Sequence, residues 1–230
     1  MDFSDRILTI SKAVKYRSFA DIGTDHGYVP ISLIKSGIGD YGIACDINKG
    51  PLKIAKENIG NSMLSHKIET RLGNGIEPVE TGEVETIIIS GMGGLLIKDI
   101  LDKDVEKTKS FKQLLLSPHS HVSKVREYLH SIGFKIDTEK MFVDEGKYYT
   151  LISALKGEEK YKSEVDYLFG KINIDEKSPV LKEYLEKGLS KLTQINALLI
   201  ATGSENSLIK ARENEKEIDL YKEGLNRYEL

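Results

Sequence analysis

The chain has 230 residues, 40% of them hydrophobic, and its 33 basic and 36 acidic residues give a net charge of −3. This length is enough for one domain with a large core and an additional part, and the charge argues against a general nucleic-acid coat while allowing a local basic patch. We find no long apolar stretch and no signal peptide, which predicts a cytoplasmic protein with no membrane span. The chain has a single cysteine, Cys45, which predicts no disulfide and no metal site.

The first predicted element is an amphipathic helix over residues 3–16, whose apolar residues recur on one side at helical spacing. Basic residues occupy the rest of its surface, and a solvated helix face is the ordinary interpretation of any one of them. The helix leads directly into the first predicted strand, which places Arg6 beside the expected cleft. Arg6 is therefore a candidate substrate-binding residue.

Residues 19–30, with the sequence FADIGTDHGYVP, are the stretch around which the chain is organised. Apolar residues predict the end of a buried strand, Gly23 and Gly27 mark a turn, and a helix follows with Pro30 in its first turn. A strand, a glycine turn and a helix N-terminus form the nucleotide-binding corner of doubly wound α/β folds. This stretch therefore predicts a ligand site.

The charges of this turn indicate which ligand it holds. The glycines lack the dinucleotide spacing, and Asp21 and Asp25 would repel a pyrophosphate in a partly dry cleft. A ligand with an ammonium group would instead be attracted. S-adenosylmethionine (AdoMet) has an ammonium, a sulfonium and no phosphate, so it suits this loop, although an ordinary turn or capping residue remains the alternative for Asp25.

Two further predicted strands end in residues suited to a nucleoside. The strand over residues 41–47 carries Asp46 at its carboxyl end, where a carboxylate can accept hydrogen bonds from both ribose hydroxyls. Capping of the next helix is the alternative for Asp46. The strand over residues 68–73 runs into Gly73, Asn74 and Gly75. Asn74 can reach an adenine amino group while the glycines let the base approach the backbone, but Asn-Gly is also a common turn.

A fourth predicted strand, over residues 85–90, runs into a loop formed by Gly91, Met92, Gly93 and Gly94. A substrate-facing loop belongs at this end of such a strand. The glycines allow close packing of backbone on a ligand, and Met92 supplies a soft apolar contact. The loop also suits the start of a helix over residues 95–101, and the two roles are compatible.

The fifth predicted strand, over residues 113–116, leads into the most basic local cluster of the chain. This cluster lies on and before a helix predicted over residues 121–131, and it consists of His119, His121, Lys124, Arg126 and His130. Backbone N–H groups and positive side chains at a helix start suit a phosphate. The predicted substrate contacts are therefore Pro118, His119, Lys124 and Arg126. A solvated helix is the alternative for Lys124 and Arg126.

The remaining pattern predicts two domains. Strands over residues 134–143 and 147–155 form a hairpin, in which Tyr148 and Tyr149 point to opposite faces and Tyr148 is the candidate for substrate contact. Strands alternating with helices and ending in an antiparallel pair predict a Rossmann-like seven-strand α/β domain over residues 1–156. Residues 157–230 predict an antiparallel helical hairpin that resembles a coiled coil.

Five motifs resemble, in this order, the bacterial tRNA (adenine-22-N1)-methyltransferase family over essentially the whole chain. They are ADIGTDHGYVP (20–30), CDIN (45–48), RLGNG (71–75), SGMGG (90–94) and EGKYY (145–149). The resemblance implies a class I AdoMet-dependent methyltransferase fold. It also implies that the methionine end of AdoMet is lined by Asp21, Gly23, Asp25, His26 and Tyr28.

The other cofactor contacts follow from the same resemblance. Asp46, with Ile47 beside it, would hold the ribose, and Asn74 between Gly73 and Gly75 would hold the adenine. The loop of residues 91–94 would lie next to the methyl donor. Asn74 stands where the family often has Asp, and its side-chain oxygen still accepts from the adenine amino group. Ser117-Pro118-His119 stands where the family often has Gln-Pro-Asn, so an imidazole replaces the amide thought to meet the target base.

The activity that the resemblance implies is transfer of a methyl group from AdoMet to N1 of adenine 22 in tRNA. An unpaired adenine has a free lone pair on N1, so positioning and desolvation supply most of the rate without a strong base. The candidates for roles near the reacting atoms are Asp25, Met92 and His119. Asp25 or a neighbouring carboxylate would offset the positive charge of the methylated base. A monomer with no metal and no membrane partner is expected.

Three alternatives remain at this point. The first is an AdoMet-dependent methyltransferase of another RNA or of a protein; such enzymes often carry Asn-Pro-Pro-aromatic after the fourth strand, where this chain has Ser90-Gly91-Met92-Gly93. The second is a non-catalytic AdoMet-binding adaptor that holds a protein partner with its hairpin. The third is a nicotinamide oxidoreductase, which Asp25 beside the phosphate position disfavours.

Overall fold

The structure, a computed structural model, describes residues 3–229. These residues divide into two compact units. The first unit contains the chain up to residue 139 together with residues 144–160, and the second contains residues 140–143 together with the chain from residue 161 onward.

The first unit is built on a seven-stranded sheet with the strand order β3-β2-β1-β4-β5-β7-β6. Its strands are β1 (Ser18–Ile22), β2 (Tyr41–Asp46), β3 (Ile68–Leu72), β4 (Thr86–Met92), β5 (Gln113–Pro118), β6 (Phe134–Asp144) and β7 (Lys147–Lys156). The first five strands pair in parallel, and β7 runs antiparallel to β5. The strand order reverses at β1, so the carboxyl ends of β1 and β4 open a crevice at the topological switch point.

Six helices accompany the sheet in the first unit. They are α1 (Asp5–Ala13), α2 (Tyr28–Lys35), α3 (Lys49–Asn61), α4 (Gly94–Asp102), α5 (Val105–Ser110) and α6 (Val122–Ser131). Helices α1 to α3 pack as one group, and α4 packs with α5 and α6. Right-handed crossovers between parallel strands place the two groups on opposite faces of the sheet. Because both faces are covered, the central strands carry continuous apolar runs such as Ile87–Ile89, which are fully buried.

A buried amide fixes the chain where it leaves α1. Gln113 Oε1 accepts hydrogen bonds from the backbone N–H of Lys15 at 3.0 Å and from the hydroxyl of Thr86 at 3.1 Å. Its Nε2 donates to the backbone oxygen of Ala13 and to the hydroxyl of Ser153, each at 2.8 Å. With both ends of the amide satisfied in the core, α1 is held in a defined position beside the sheet.

The second unit has its own core around a long helical hairpin. Its helical segments are a π-helical turn (Asp166–Gly170), α7 (Lys171–Asp175), α8 (Pro179–Thr202) and α9 (Glu205–Asn226). Ser178 and Ser204 cap α8 and α9 by accepting from backbone N–H groups. The core cluster at the base of the hairpin contains Val165, Phe169, Ile174, Leu181, Leu185 and Tyr221.

The predicted fold class, a seven-stranded Rossmann-like sheet with a helical hairpin, is confirmed. The first helix is shorter than predicted because Ser4 caps it and Val14 leaves the helical conformation. The short helices α5 and α7 and the π-helical turn were not predicted, since five or six residues give no readable periodicity. Within residues 3–229, no helix is both long and apolar enough to cross a membrane.

Candidate functional site

A cavity of about 470 Å³ lies at the carboxyl ends of β1, β2 and β4 in the first unit. A cavity of this size is typical of sites for drug-sized ligands. The predicted site residues that line it are Arg6, Asp21, Gly23, Asp25, His26, Tyr28, Asp46, Gly91 and Met92. Three strand ends and the face of α1 therefore bring together residues from the first, second and fourth motifs.

The turn after β1 is shaped to pack against the loop after β4. Gly23 has a φ of 75°, and a β-carbon at this position would lie 2.2 Å from Cε of Met92. A side chain here would both strain the backbone and displace Met92. The backbone N–H groups of Gly23 and Thr24 donate to the oxygen of Cys45 at 2.8 and 2.9 Å. These bonds lock the turn onto β2.

Asp21 is a buried acid of the cavity whose pKa is raised. It lies near the end of β1 and is only 3% exposed. Its pKa is raised to about 6: burial is the main cause and the charge of Asp46 adds to it, while the Thr24 hydroxyl and Arg6 act in the opposite direction. A carboxylate that is costly to ionise in the ligand-free protein favours a cationic ligand beside it.

Asp46 closes the opposite side of the cavity at the end of β2. It is 8% exposed, and its Oδ1 accepts from the backbone N–H of Asn48 at 2.7 Å. The carboxylate thus stabilises the turn into α3, which Asn48 does not cap with its own side chain. Ile47, next in the chain, is 60% exposed, so an apolar surface lies beside a buried acid.

The third predicted strand end adjoins this site without lining the same cavity. Gly73 donates to the backbone oxygen of Asp46 at 3.0 Å, which joins the turn of residues 73–75 to the end of β2. Asn74 itself is exposed and lines a separate cavity of about 200 Å³ together with Ile100 and Lys107. Contact between Asn74 and a cofactor remains a prediction.

The loop after β4 and the loop after β5 are packed together. The backbone N–H of His119 donates to the oxygen of Met92 at 3.0 Å, and that of Gly94 donates to the oxygen of Ser120 at 2.9 Å. A β-carbon on Gly94 would lie 2.5 Å from the oxygen of Ser120, so glycine is required there for packing. Gly93 lies beside the exposed ring of His119.

The basic cluster predicted on α6 does not form a positive surface, and Arg126 requires a correction. Arg126 is 1% exposed, and its Nη2 lies 2.6 Å from Oε1 of Glu139, which is also buried. Its predicted contact with substrate is wrong, because a guanidinium fully paired inside the protein is not available to a phosphate. His130 is buried beside Glu159, and Lys124 pairs with Glu127 on the surface.

The structure also bears on two other predicted substrate contacts, Pro118 and Tyr148. Pro118 is buried, so of Pro118 and His119 only His119 is open to a ligand. The guanidinium of Arg6, which lines the cavity, lies 5.1 Å from the ring centre of Tyr149. Since neighbouring strand residues point to opposite faces, Tyr148 points away from Arg6. The structure therefore favours Tyr149 over Tyr148 as the tyrosine beside the cleft.

Asp25, His26 and Tyr28 form the rim of the cavity. Asp25 has a φ of 46° and a side chain that is 68% exposed, and its Oδ2 lies 3.4 Å from Nε2 of His26. The His26 and Tyr28 rings are 5.5 Å apart. Exposed, adjacent rings with a carboxylate nearby suit contact with a polar, planar ligand at the mouth of the cavity.

Several lining residues were not predicted as site residues. They are Ile7, Ile10, Thr24, Val29, Asn48, Pro51 and Ser90. Ile7, Ile10 and Val29 come from the faces of α1 and α2 that pack inward, and Pro51 lies in the first turn of α3. The only signal in the sequence for the first three was helical periodicity, which does not separate a core face from a cavity wall.

The donor set fits AdoMet. Three carboxylates surround a cavity of suitable volume, and AdoMet presents an ammonium and a sulfonium that would compensate them. Within residues 3–229, no group of three or more His, Cys, Asp or Glu side chains is arranged to hold a metal ion.

Comparisons with known proteins show which family the chain resembles. The sequence profile of the family described as tRNA (adenine(22)-N(1))-methyltransferase matches residues 19–223. A Bacillus subtilis protein named tRNA (adenine(22)-N(1))-methyltransferase is 32% identical over 159 residues, which cover 69% of this chain and 67% of that protein.

Two solved structures extend the similarity to nearly the whole chain. A Streptococcus pneumoniae protein in complex with S-adenosyl-L-methionine has a TM-score of 0.86 and 30% identity, covering 97% of this chain and 100% of that one. TrmK of M. capricolum, in complex with S-adenosyl-homocysteine, has a TM-score of 0.85 and 28% identity, covering 98% of this chain and 99% of that one.

Proposed function

The chain belongs to the tRNA (adenine(22)-N(1))-methyltransferase family, and we propose that the cavity between β1, β2 and β4 is its AdoMet site. The enzyme is an AdoMet-dependent methyltransferase that modifies N1 of adenine 22 in tRNA. The observation that carries the assignment of the cavity is the meeting of Asp21, Asp46 and the Gly91–Met92 backbone around about 470 Å³.

Each acid of the cavity has its own part in holding the cofactor. Asp21, buried beneath the turn of Gly23, faces the positively charged methionine end. Asp46 keeps one oxygen on the Asn48 N–H and offers the other to the ribose hydroxyls. The side chains of Ile7, Ile10 and Val29 form an apolar wall that excludes water and strengthens both charge interactions.

The protein's contribution to the chemistry is placement. AdoMet supplies a methyl group on a positively charged sulfur. Met92 packs against Gly23 and holds the loop after β4 in place, and the exposed ring of His119, bonded through its backbone to Met92, offers a stacking surface for the target adenine. Asp25 lies at the rim and offsets positive charge on the methylated base. Its exposure to solvent weakens this charge interaction.

The test is methylation of a defined tRNA. An unmodified tRNA transcript with adenine at position 22 is incubated with the enzyme and labelled AdoMet, and the modified nucleotide is mapped by mass spectrometry. One methyl group on adenine 22 is expected, and a transcript with guanine at position 22 should remain unmethylated. Methylation at another position, or of the guanine transcript, would contradict the assignment.

The second unit is assigned a role in holding tRNA. We propose that the hairpin of α8 and α9 grips the body of the tRNA, since its leucine-rich seam carries no candidate for chemistry. The chain is proposed to act as a monomer in the cytoplasm, where its tRNA substrate is found. Light scattering after size-exclusion chromatography would test the monomer, with a dimer mass as the contrary result.

A further inference from the structure

The positive surface that RNA binding requires is not found on α6, where the sequence predicted it. Arg126 is buried against Glu139, and Lys124 pairs with Glu127. Helices α8 and α9 together carry fewer basic than acidic residues. Because phosphate contacts supply a large share of the affinity of nucleic-acid-binding proteins, a chain with a net charge of −3 needs a local basic surface on another element.

Helix α3 carries such a surface. Its sequence, KGPLKIAKENIGN, places Lys49, Lys53 and Lys56 at steps of four and three residues, so these side chains follow one another along one face of the helix. All three are exposed, whereas Ala55 and Ile59 are the buried residues of this helix. We call Lys49, Lys53 and Lys56 the α3 lysine row.

The α3 lysine row has little acidic compensation. Across residues 3–229, neither Lys49 nor Lys56 forms an ion pair. Glu57 is the single acid of α3, and its Oε1 lies 3.9 Å from Nζ of Lys53, with the two side chains 61% and 78% exposed. A long and exposed pair of this kind contributes little. The row therefore presents its positive charge to solvent.

The row is unfavourable for the helix that carries it. Lys49 is the first residue of α3, where the helix dipole disfavours a cation, and the first turn contains no acid. Lys53 follows at a spacing of four residues, at which like charges repel each other. The row thus lowers the stability of α3, and a bound polyanion would remove this cost.

Helix α3 begins at the proposed AdoMet cavity. Its N-cap residue Asn48 and Pro51 in its first turn line that cavity. Between Lys49 and Lys56 the helix rises about 10 Å, and one strand of a nucleic-acid duplex carries about three phosphates over this length. An RNA backbone that lies along α3 can therefore contact all three lysines while a nearby base reaches the cavity.

We propose that the α3 lysine row binds the phosphate backbone of the tRNA substrate close to the target adenine. This proposal rests on the tRNA-methylating function proposed above and adds a substrate-binding surface on the first unit. An acidic protein segment is the competing polyanion. The position of the row, beside the cavity to which the tRNA must bring its adenine, favours RNA.

The test compares three full-length variants with the wild type. The first combines Lys49→Gln, Lys53→Gln and Lys56→Gln, and the second replaces the same residues by arginine, which keeps the charges. The matched control replaces by glutamine three exposed, ion-paired lysines that precede β1 and β5 at the opposite edge of the sheet, Lys15, Lys109 and Lys112.

Three properties are measured for each protein. Affinity for an unmodified tRNA transcript is measured by fluorescence anisotropy between about 50 and 200 mM salt. AdoMet affinity is measured by calorimetry, and methylation is followed by steady-state kinetics. Melting temperatures report on folding.

The glutamine variant should bind tRNA at least about tenfold more weakly. Its plot of log affinity against log salt concentration should be shallower by about two to three units, because each lost phosphate contact lowers the slope by about 0.7–0.9. The KM for tRNA should rise, while AdoMet affinity and kcat at saturating tRNA stay unchanged. The arginine variant and the control should keep the affinity and the salt slope of the wild type.

Unchanged tRNA affinity and salt slope in the glutamine variant would overturn the proposal and exclude RNA as the partner of the row. An equal loss in the control would show an effect of net charge, and an equal loss in the arginine variant would show that charge is not what the row contributes. Loss of AdoMet binding or a lower melting temperature in the glutamine variant would make the row structural, since removal of mutually repelling lysines should leave α3 at least as stable. Failure of the wild type to methylate tRNA would instead refute the proposed function.

Discussion

Replacing Asp21 by asparagine should stabilise the ligand-free protein and weaken its binding of AdoMet. Asp21 is 3% exposed, and burial is the main reason that its pKa rises from 3.8 to about 6. The folded state thus disfavours the charge on which the proposed binding of AdoMet depends. Asparagine keeps the shape of the side chain and removes that charge.

The size of the gain follows from the two pKa values. The folded protein binds the Asp21 proton more tightly than the unfolded chain does, so ionisation costs stability above about pH 4, and the cost is complete above about pH 6. A shift of about two pKa units corresponds to about 3 kcal/mol. Asp21→Asn should therefore gain about 2–3 kcal/mol at pH 7.5 and about half of that at pH 5.

The assay is denaturant unfolding of the ligand-free proteins at both pH values, combined with calorimetric titration of AdoMet. Each kcal/mol should raise the melting temperature by about 2–4 °C in a protein of this size. AdoMet affinity should fall at least about tenfold, because the cationic ligand loses a charge partner. Wild-type affinity should also fall as the pH drops below 6, since Asp21 becomes protonated in the ligand-free protein.

Asp25→Asn is the matched control, because it removes an exposed charge from the same turn. It should give no comparable gain in stability. The reasoning is refuted if Asp21→Asn is not stabilised at pH 7.5, or if its gain is the same at both pH values. An equal gain in Asp25→Asn would show that a general charge effect, rather than burial, is responsible.

The remaining predictions concern three other parts of the enzyme. Asp46→Ala should weaken AdoMet binding at least tenfold, or about 1.4 kcal/mol. Asp46→Asn keeps an acceptor for the Asn48 N–H and should also bind AdoMet weakly. Unchanged affinity by calorimetry in both variants would remove Asp46 from the site. His119→Ala should strongly reduce methylation without changing AdoMet affinity, and His119→Asn should recover part of it; a harmless alanine would direct attention to Tyr149. Replacing residues 193–214 of the hairpin by a short turn keeps the core cluster at its base intact. This variant should still bind AdoMet but lose most tRNA methylation. Full methylation of tRNA by the variant would contradict a role of the hairpin in holding tRNA.

The order of motifs was sufficient to predict the fold and most of the lining of the proposed AdoMet cavity. In a parallel sheet, all strands end at one edge, so residues that follow successive strands lie close together whatever the details of packing. Asp21, Asp46 and Met92 were therefore identified from their positions at strand ends, and all three line the cavity. The helical hairpin was predicted on similar grounds, from apolar spacing and one break.

The burial and the ion-pair partners of individual charged side chains could not be predicted in this way. Lys124 and Arg126 lie on one predicted helix and look alike in the sequence, yet Lys124 is exposed and Arg126 is fully buried against Glu139. A burial pattern follows from the periodicity of apolar residues, and a buried cation breaks that pattern because its partner lies on a different element.

Which of Tyr148 and Tyr149 lies beside the cleft is seen only in the tertiary structure. The same holds for the groups that surround Arg6 and Asp21. Strand periodicity states that the two tyrosines face opposite sides, but the helix on each side is fixed by packing, and Gln113 holds α1 on the side of Tyr149. The sequence by itself determined which residues reach the edge of the sheet, because that depends on local conformation. Their charge partners and their burial, which set pKa and ligand preference, depend on distances between segments far apart in the chain, and packing alone decides these.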